Sequence, residues 1–205
     1  MAKKDKKSSP PLKFDKRLVL NQWLLSLFDV SGVDELYGIM RDASEGYDEN
    51  NISRFYHRIT ERLFERTELS NDLLLAYDQN IYRHTQAISG KREPAVAWKY
   101  FQYLALLFTE VYLDRYFINP QALLETLNKH VFAFNTDKPE RDRVRPFSLS
   151  DLNKLAFWNA TGSGKTLLMH VNILQYRHYL EKHGRERELN RSEERRVGKE
   201  CRSRW

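Results

Sequence analysis

Cysteine is almost missing from this chain: of 205 residues, only Cys201 carries a thiol. That excludes a disulfide framework and a cysteine zinc motif, and it fits a reducing, cytoplasmic setting. Long apolar runs are missing too. The stretch from Tyr100 to Thr109 is uncharged but only about half the length that spans a bilayer, so no membrane partner is expected. The N-terminus, Met1-Ala2-Lys3-Lys4-Asp5-Lys6-Lys7, continues into Ser8-Ser9-Pro10-Pro11 where a signal peptide would need an apolar segment, so no export is signalled. No internal repeat is found. The six histidines, His57, His84, His130, His170, His178 and His183, lack ligand spacing with Cys or carboxylates and are assigned no metal.

An excess of charge in the body of the chain is also lacking, although the whole carries +6. Residues 1–17 hold seven Lys or Arg against two Asp, and residues 191–205 hold six against three Glu; taken from totals of 34 and 28, these leave 21 basic and 23 acidic residues between them. A basic surface for nucleic acid would have to be local. One candidate is Arg54, His57, Arg58, Arg62 and Arg66, but Glu61 and Glu65 are interleaved with them. Such a pattern predicts a solvated helix face with local ion pairs.

What the chain does have is helical periodicity, and 41% apolar residues to build a core with. Leu18, Leu20, Trp23, Leu24, Leu27 and Phe28 form one broad face, closed by Ser31-Gly32. Ile52, Phe55, Tyr56, Ile59, Leu63 and Phe64 recur every three or four residues. Ser70, Asn71 and Asp72 offer N-cap chemistry to a helix through Leu73, Leu74, Tyr77, Ile81 and Ile88, ended near Gly90. A helix opening at Pro94 and running through Leu113 is apolar nearly all round, which places it at the centre of a bundle and makes its aromatics core rather than a base-stacking surface. Asn119-Pro120 opens another, with Leu123, Leu124, Leu127, Val131 and Phe134 on one stripe. About five helices are expected in a helical domain over 18–134, preceded by a solvated basic tail over 1–17.

Residues 135–153 are rich in charge and proline and read as a linker at a domain boundary. Leu155-Ala156-Phe157-Trp158-Asn159 is short, apolar and aromatic, as a buried strand would be. Ala160-Thr161-Gly162-Ser163-Gly164-Lys165-Thr166 follows, then Leu167, Leu168, Val171 and Leu174 at helical spacing, in a helix reaching about Gly184. The order strand, glycine loop, helix is that of a phosphate cradle. Gly162 and Gly164 let the backbone curl and aim N–H groups inward, and the helix start adds its positive dipole end. Lys165 would place an ammonium on the β- and γ-phosphates, while Thr166 would offer a hydroxyl to Mg²⁺. Ala160 and Ser163 keep the loop small. ATP and Mg²⁺ are the expected cofactors.

The fuller pattern has Gly where this chain has Asn159. Thr161 to Thr166 preceded by Ala160 resembles motif I of superfamily 2 DEAD/DEAH-box helicases and translocases. The branch holding the motor subunits of type I and type III restriction enzymes tolerates a residue such as Asn159 there. Secretion ATPases and partition translocases share the Thr-Gly-Ser-Gly-Lys core but usually keep that Gly. The resemblance covers the seven motif residues and, with strand and helix, about thirty of the chain. It implies a RecA-like α/β domain starting in 154–190, DNA as partner, possible partner subunits of a restriction or other anti-phage complex, and metal-binding, arginine-finger and DNA-contacting motifs downstream of this segment. Residues 135–158 contain no glutamine to read adenine.

Residues 191–205 have no apolar periodicity and resemble a translated sequencing adapter, so they are set apart from the fold, and Glu193-Glu194 is no substitute for the metal-binding pair. The expectation is an N-terminal fragment: a mainly α helical bundle followed by the first strand, loop and helix of a truncated ATPase domain, able to hold phosphates but not to turn ATP over. The alternative treats 18–134 as a helical module that docks a protein or DNA and precedes a different ATPase.

Overall fold

In a computed structural model, the described residues are 12, 14–63, 69–90, 93–157 and 160–188. Most of the basic tail over 1–17, Phe64, Glu65, Arg66, Trp158, Asn159 and the 191–205 segment with Glu193, Glu194 and Cys201 lie outside them. Among the described residues there are seven α-helices and no strand: α1 (Val19–Leu27), α2 (Val33–Arg41), α3 (Arg54–Leu63), α4 (Asn71–Ser89), α5 (Tyr100–Ile118), α6 (Pro120–Asn135) and α7 (Lys165–Lys182). None is long and apolar enough to cross a membrane.

The helix boundaries follow local chemistry. Ser70 caps α4, its hydroxyl accepting the Leu73 N–H at 3.2 Å, and Asn119 caps α6 by accepting the Ala122 N–H at 3.0 Å, with Pro120 in the first turn. Each cap satisfies one of the free amides that every helix start exposes and contributes about 1 kcal/mol. α7 ends where expected: Gly184 adopts φ +64°, and the Arg185 N–H returns to the Leu180 carbonyl.

Two segments depart from the periodicity. α2 is an added helix, short and continuous through Gly38, whose signal is the pair Leu36 and Met40, both fully buried one turn apart. α5 opens at Tyr100, not at Pro94. The residues before it run extended because they dock on α4: the Val96 N–H bonds the Ser89 hydroxyl at 3.1 Å and the buried Trp98 indole donates to Thr85 Oγ1 at 2.7 Å.

α5 is the central element, packed against α2, α4, α6 and α7, as an all-round apolar helix must be. Tyr103, Leu104, Leu106, Leu107 and Val111 are buried in one continuous core with Trp23 and Phe28 from the α1 region and Leu123 and Leu127 of α6. Three of the α5 aromatics, Tyr103, Tyr112 and Phe117, are buried in the fold. Tyr103 donates to Asp78 Oδ1 at 2.6 Å and Tyr112 to the Leu152 carbonyl at 2.7 Å.

The charged segment after α6 is laid along that helix. Asn135 receives the Val144 N–H at 2.9 Å and donates to the Val144 carbonyl at 2.8 Å; Asn128 does the same for Phe147, at 2.8 and 3.0 Å. Both side-chain amides thus stand in for a neighbouring strand. The spacing explains the match: seven helical residues rise about 10 Å, as do three extended ones. Lower residue numbers on α6 pair with higher ones on the strap, so the two run antiparallel.

The expected strand at Leu155–Asn159 is not formed in its described part. Leu155, Ala156 and Phe157 are irregular. A strand needs a neighbour for its N–H and C=O groups, and the described residues offer no sheet.

Candidate functional site

The seven loop residues stand together at the start of α7, between the irregular segment and the N-terminal end of α5. The Ser163 N–H closes a turn on the Ala160 carbonyl at 3.3 Å. Gly162 and Gly164 have φ of +78° and +80°, a region that side chains with a Cβ occupy only with strain. Gly164 is the residue before α7, and its carbonyl accepts the first helical bond from Leu168 at 3.1 Å. Lys165 then begins the helix, and its ammonium folds back over the loop to the Ala160 carbonyl at 3.2 Å. Thr161, Lys165 and Thr166 are exposed, with Thr166 in the first turn of α7. That turn carries no acidic residue, so nothing in it opposes the positive helix end.

Two features of this site are invisible to motif reading. Gln102 of α5 reaches the loop: its Nε2 donates to the Ser163 carbonyl at 2.9 Å while its Oε1 accepts the Lys99 N–H at 2.9 Å. A Cβ on Gly164 would stand 2.6 Å from that Nε2. Gly164 is therefore required by φ, and a Cβ there would in addition displace the Gln102 amide from the Ser163 carbonyl.

The second feature lies deeper. Glu110 of α5 is fully buried and accepts hydrogen bonds from Asn80 of α4 at 2.7 Å and from Gln175 and Tyr179 of α7 at 2.7 and 2.9 Å. Gln175 also donates to the Leu106 carbonyl at 3.0 Å. Burial pushes the Glu110 carboxyl up to about 7, against the three donors that favour its charged form. One turn on, Asp114 accepts from the Tyr77 hydroxyl at 2.9 Å and pairs with Lys182 at 3.4 Å.

α7 is thereby fixed along its length. The successive contacts Gln102 with Ser163, Glu110 with Gln175 and Tyr179, and Asp114 with Lys182 run in the same order on both helices, so α5 and α7 are parallel. Leu168, Val171, Gln175 and Tyr179 form the buried stripe of α7. The polar members could not be found from apolar spacing, since their partners are 65 to 69 residues away. The signal for them was Gln102, Glu110 and Asp114 standing in a mostly apolar α5.

The other candidate surface is a solvated face with local partners. Arg58 pairs with Glu61 at 3.1 Å, His57 with Asp48 at 2.8 Å, and Arg54 donates to the Ser44 hydroxyl at 2.9 Å. Set beside known proteins, the chain matches no family model, no curated protein and no solved structure.

Proposed function

We propose that Ala160 to Thr166 cradle the phosphates of ATP, with Mg²⁺ on the Thr166 hydroxyl, and that the chain carries the start of an ATP-dependent DNA helicase or translocase motor of the restriction type. One observation carries this. Both glycines of Thr-Gly-Ser-Gly-Lys-Thr take positive φ as the loop turns into a helix start without acidic residues, and the lysine ammonium lies over the loop. An ammonium bonded to a carbonyl of its own loop is exchangeable for a phosphate oxygen, a stronger, charge-assisted partner. In the motor, Leu155 to Asn159 would become the first strand of the RecA-like sheet once neighbouring strands supply its backbone partners.

Binding and turnover separate here. Phosphoryl transfer needs positioned phosphates, metal and water at once. A metal-holding Asp-Glu pair at the end of an apolar strand does not occur in this sequence. The expected outcome is therefore saturable, Mg²⁺-dependent binding of ATP, tripolyphosphate and pyrophosphate, weakened at least about tenfold by Lys165→Ala, with no ATP hydrolysis above background. Calorimetric titration and a phosphate-release assay check both. Failure of the unaltered protein to bind any of the three ligands overturns the proposal, and turnover abolished by Lys165→Ala overturns the expectation of inactivity.

A further inference from the structure

We propose that Gln102 is a positioning residue that sets which way the Ser163–Gly164 peptide faces, and so presents the Gly164 N–H to a bound phosphate. The inference deepens, and rests on, the phosphate-binding role of the loop.

A peptide unit is planar and trans, so its C=O and N–H point in opposite directions. Gln102 Nε2 draws the Ser163 carbonyl toward α5. The Gly164 N–H must then point away from α5. If that peptide turned over, a carbonyl oxygen would replace the N–H and repel a phosphate. Glycine at 164 makes this turning over easy, because without a Cβ both backbone orientations are open to it. A loop that requires glycine for its shape therefore also requires something to choose the orientation.

The carboxamide of Gln102 is suited to that choice. Its oxygen faces an N–H, from Lys99, and its nitrogen faces a C=O, from Ser163, so neither end can be exchanged without two repulsive contacts. The Lys99 bond ties it to the start of α5, the most enclosed helix of the bundle. The 2.6 Å that would separate Nε2 from a methyl group on Gly164 shows how closely amide and peptide are apposed.

Two substitutions test the idea. Gln102→Glu keeps the acceptor for the Lys99 N–H and replaces only the donor, whereas Gln102→Met removes both without adding charge. In the nucleotide-free protein, the ¹⁵N order parameter of Gly164 should fall from about 0.85 to below about 0.6 in Gln102→Met, with values in the middle of α5 and α7 unchanged, whereas in Gln102→Glu the new carboxylate oxygen should draw the Gly164 N–H toward α5 in place of the Ser163 carbonyl. Pyrophosphate affinity should fall about tenfold in Gln102→Met, without a matching fall in thermal midpoint. Unchanged order at Gly164 or unchanged pyrophosphate affinity in Gln102→Met, or a Gln102→Glu protein whose Gly164 amide shift and pyrophosphate affinity match those of the unaltered protein, overturns the inference. Should the unaltered protein fail to bind pyrophosphate, the phosphate-binding role falls by itself, and the order parameters still decide whether Gln102 governs the peptide.

Discussion

Glu110 is a carboxyl group with no exposed surface, surrounded by three hydrogen-bond donors and beside the buried Asp114. Loss of hydration outweighs the donors, and its folded value of about 7 lies above the ordinary 4.5. Between those values the folded protein keeps a proton that the unfolded chain has released. Its contribution is therefore complete below about pH 4.5 and is lost as pH rises through about 7. His84 works the other way: burial lowers it to about 4, so its contribution is present above about 6.5 and lost on acidification. The two offset each other in the total profile. The clean measurement is the difference in denaturant stability between the unaltered protein and Glu110→Gln, which should fall by on the order of 3 kcal/mol from pH 4.5 to 8. A flat difference would mean that Glu110 titrates normally.

At the scale of elements, the two helix starts with a side-chain cap, at Ser70 and Asn119, were the most legible part of the sequence, because capping is local. Ser70 and Asn119 act on backbone amides three residues away, and both were readable in place. Ser70→Ala is expected to cost about 1 kcal/mol, checked by urea denaturation, while Ser70→Asp should retain most of the stability. Elements fixed by distant partners were not legible. The extended run through Trp98 depends on Thr85, and the strap after α6 depends on Asn128 and Asn135, whose amides look like any other polar residue on a helix. The apolar segment at Leu155 shows the converse. Its composition suits a strand, but composition supplies no neighbour to pair with.

For the molecule as a whole, the helix that follows the glycine loop completes the core of the helices before it. Leu168, Val171, Tyr179 and Leu180 are buried in the same cluster as α5. The turn of the glycine loop was legible because Gly162 and Gly164 act through their own backbone, but its junction with α5 was not, since Gln102 and Ser163 are 61 positions apart. A chain ending at Phe157 would expose those four side chains' partners and strip Glu110 of two of its three donors. Losses of about 2 kcal/mol or more per buried aliphatic side chain exceed what a domain of this size can spare. Such a truncation is expected to lose its cooperative thermal transition in calorimetry, whereas a protein of residues 12–188 should retain it.

The strap beside α6 has a consequence for how the gene can vary. Segments rich in charge and proline ordinarily accept added or deleted codons freely. Here the interval from Val144 to Phe147 is gauged against two turns of helix, and one extra residue would displace one contact by about 3.3 Å, leaving an asparagine facing the wrong peptide. Substitutions at Arg143 or Arg145 leave that gauge intact, since backbone groups are what the asparagines grip. The segment is thus permissive in spelling and strict in length.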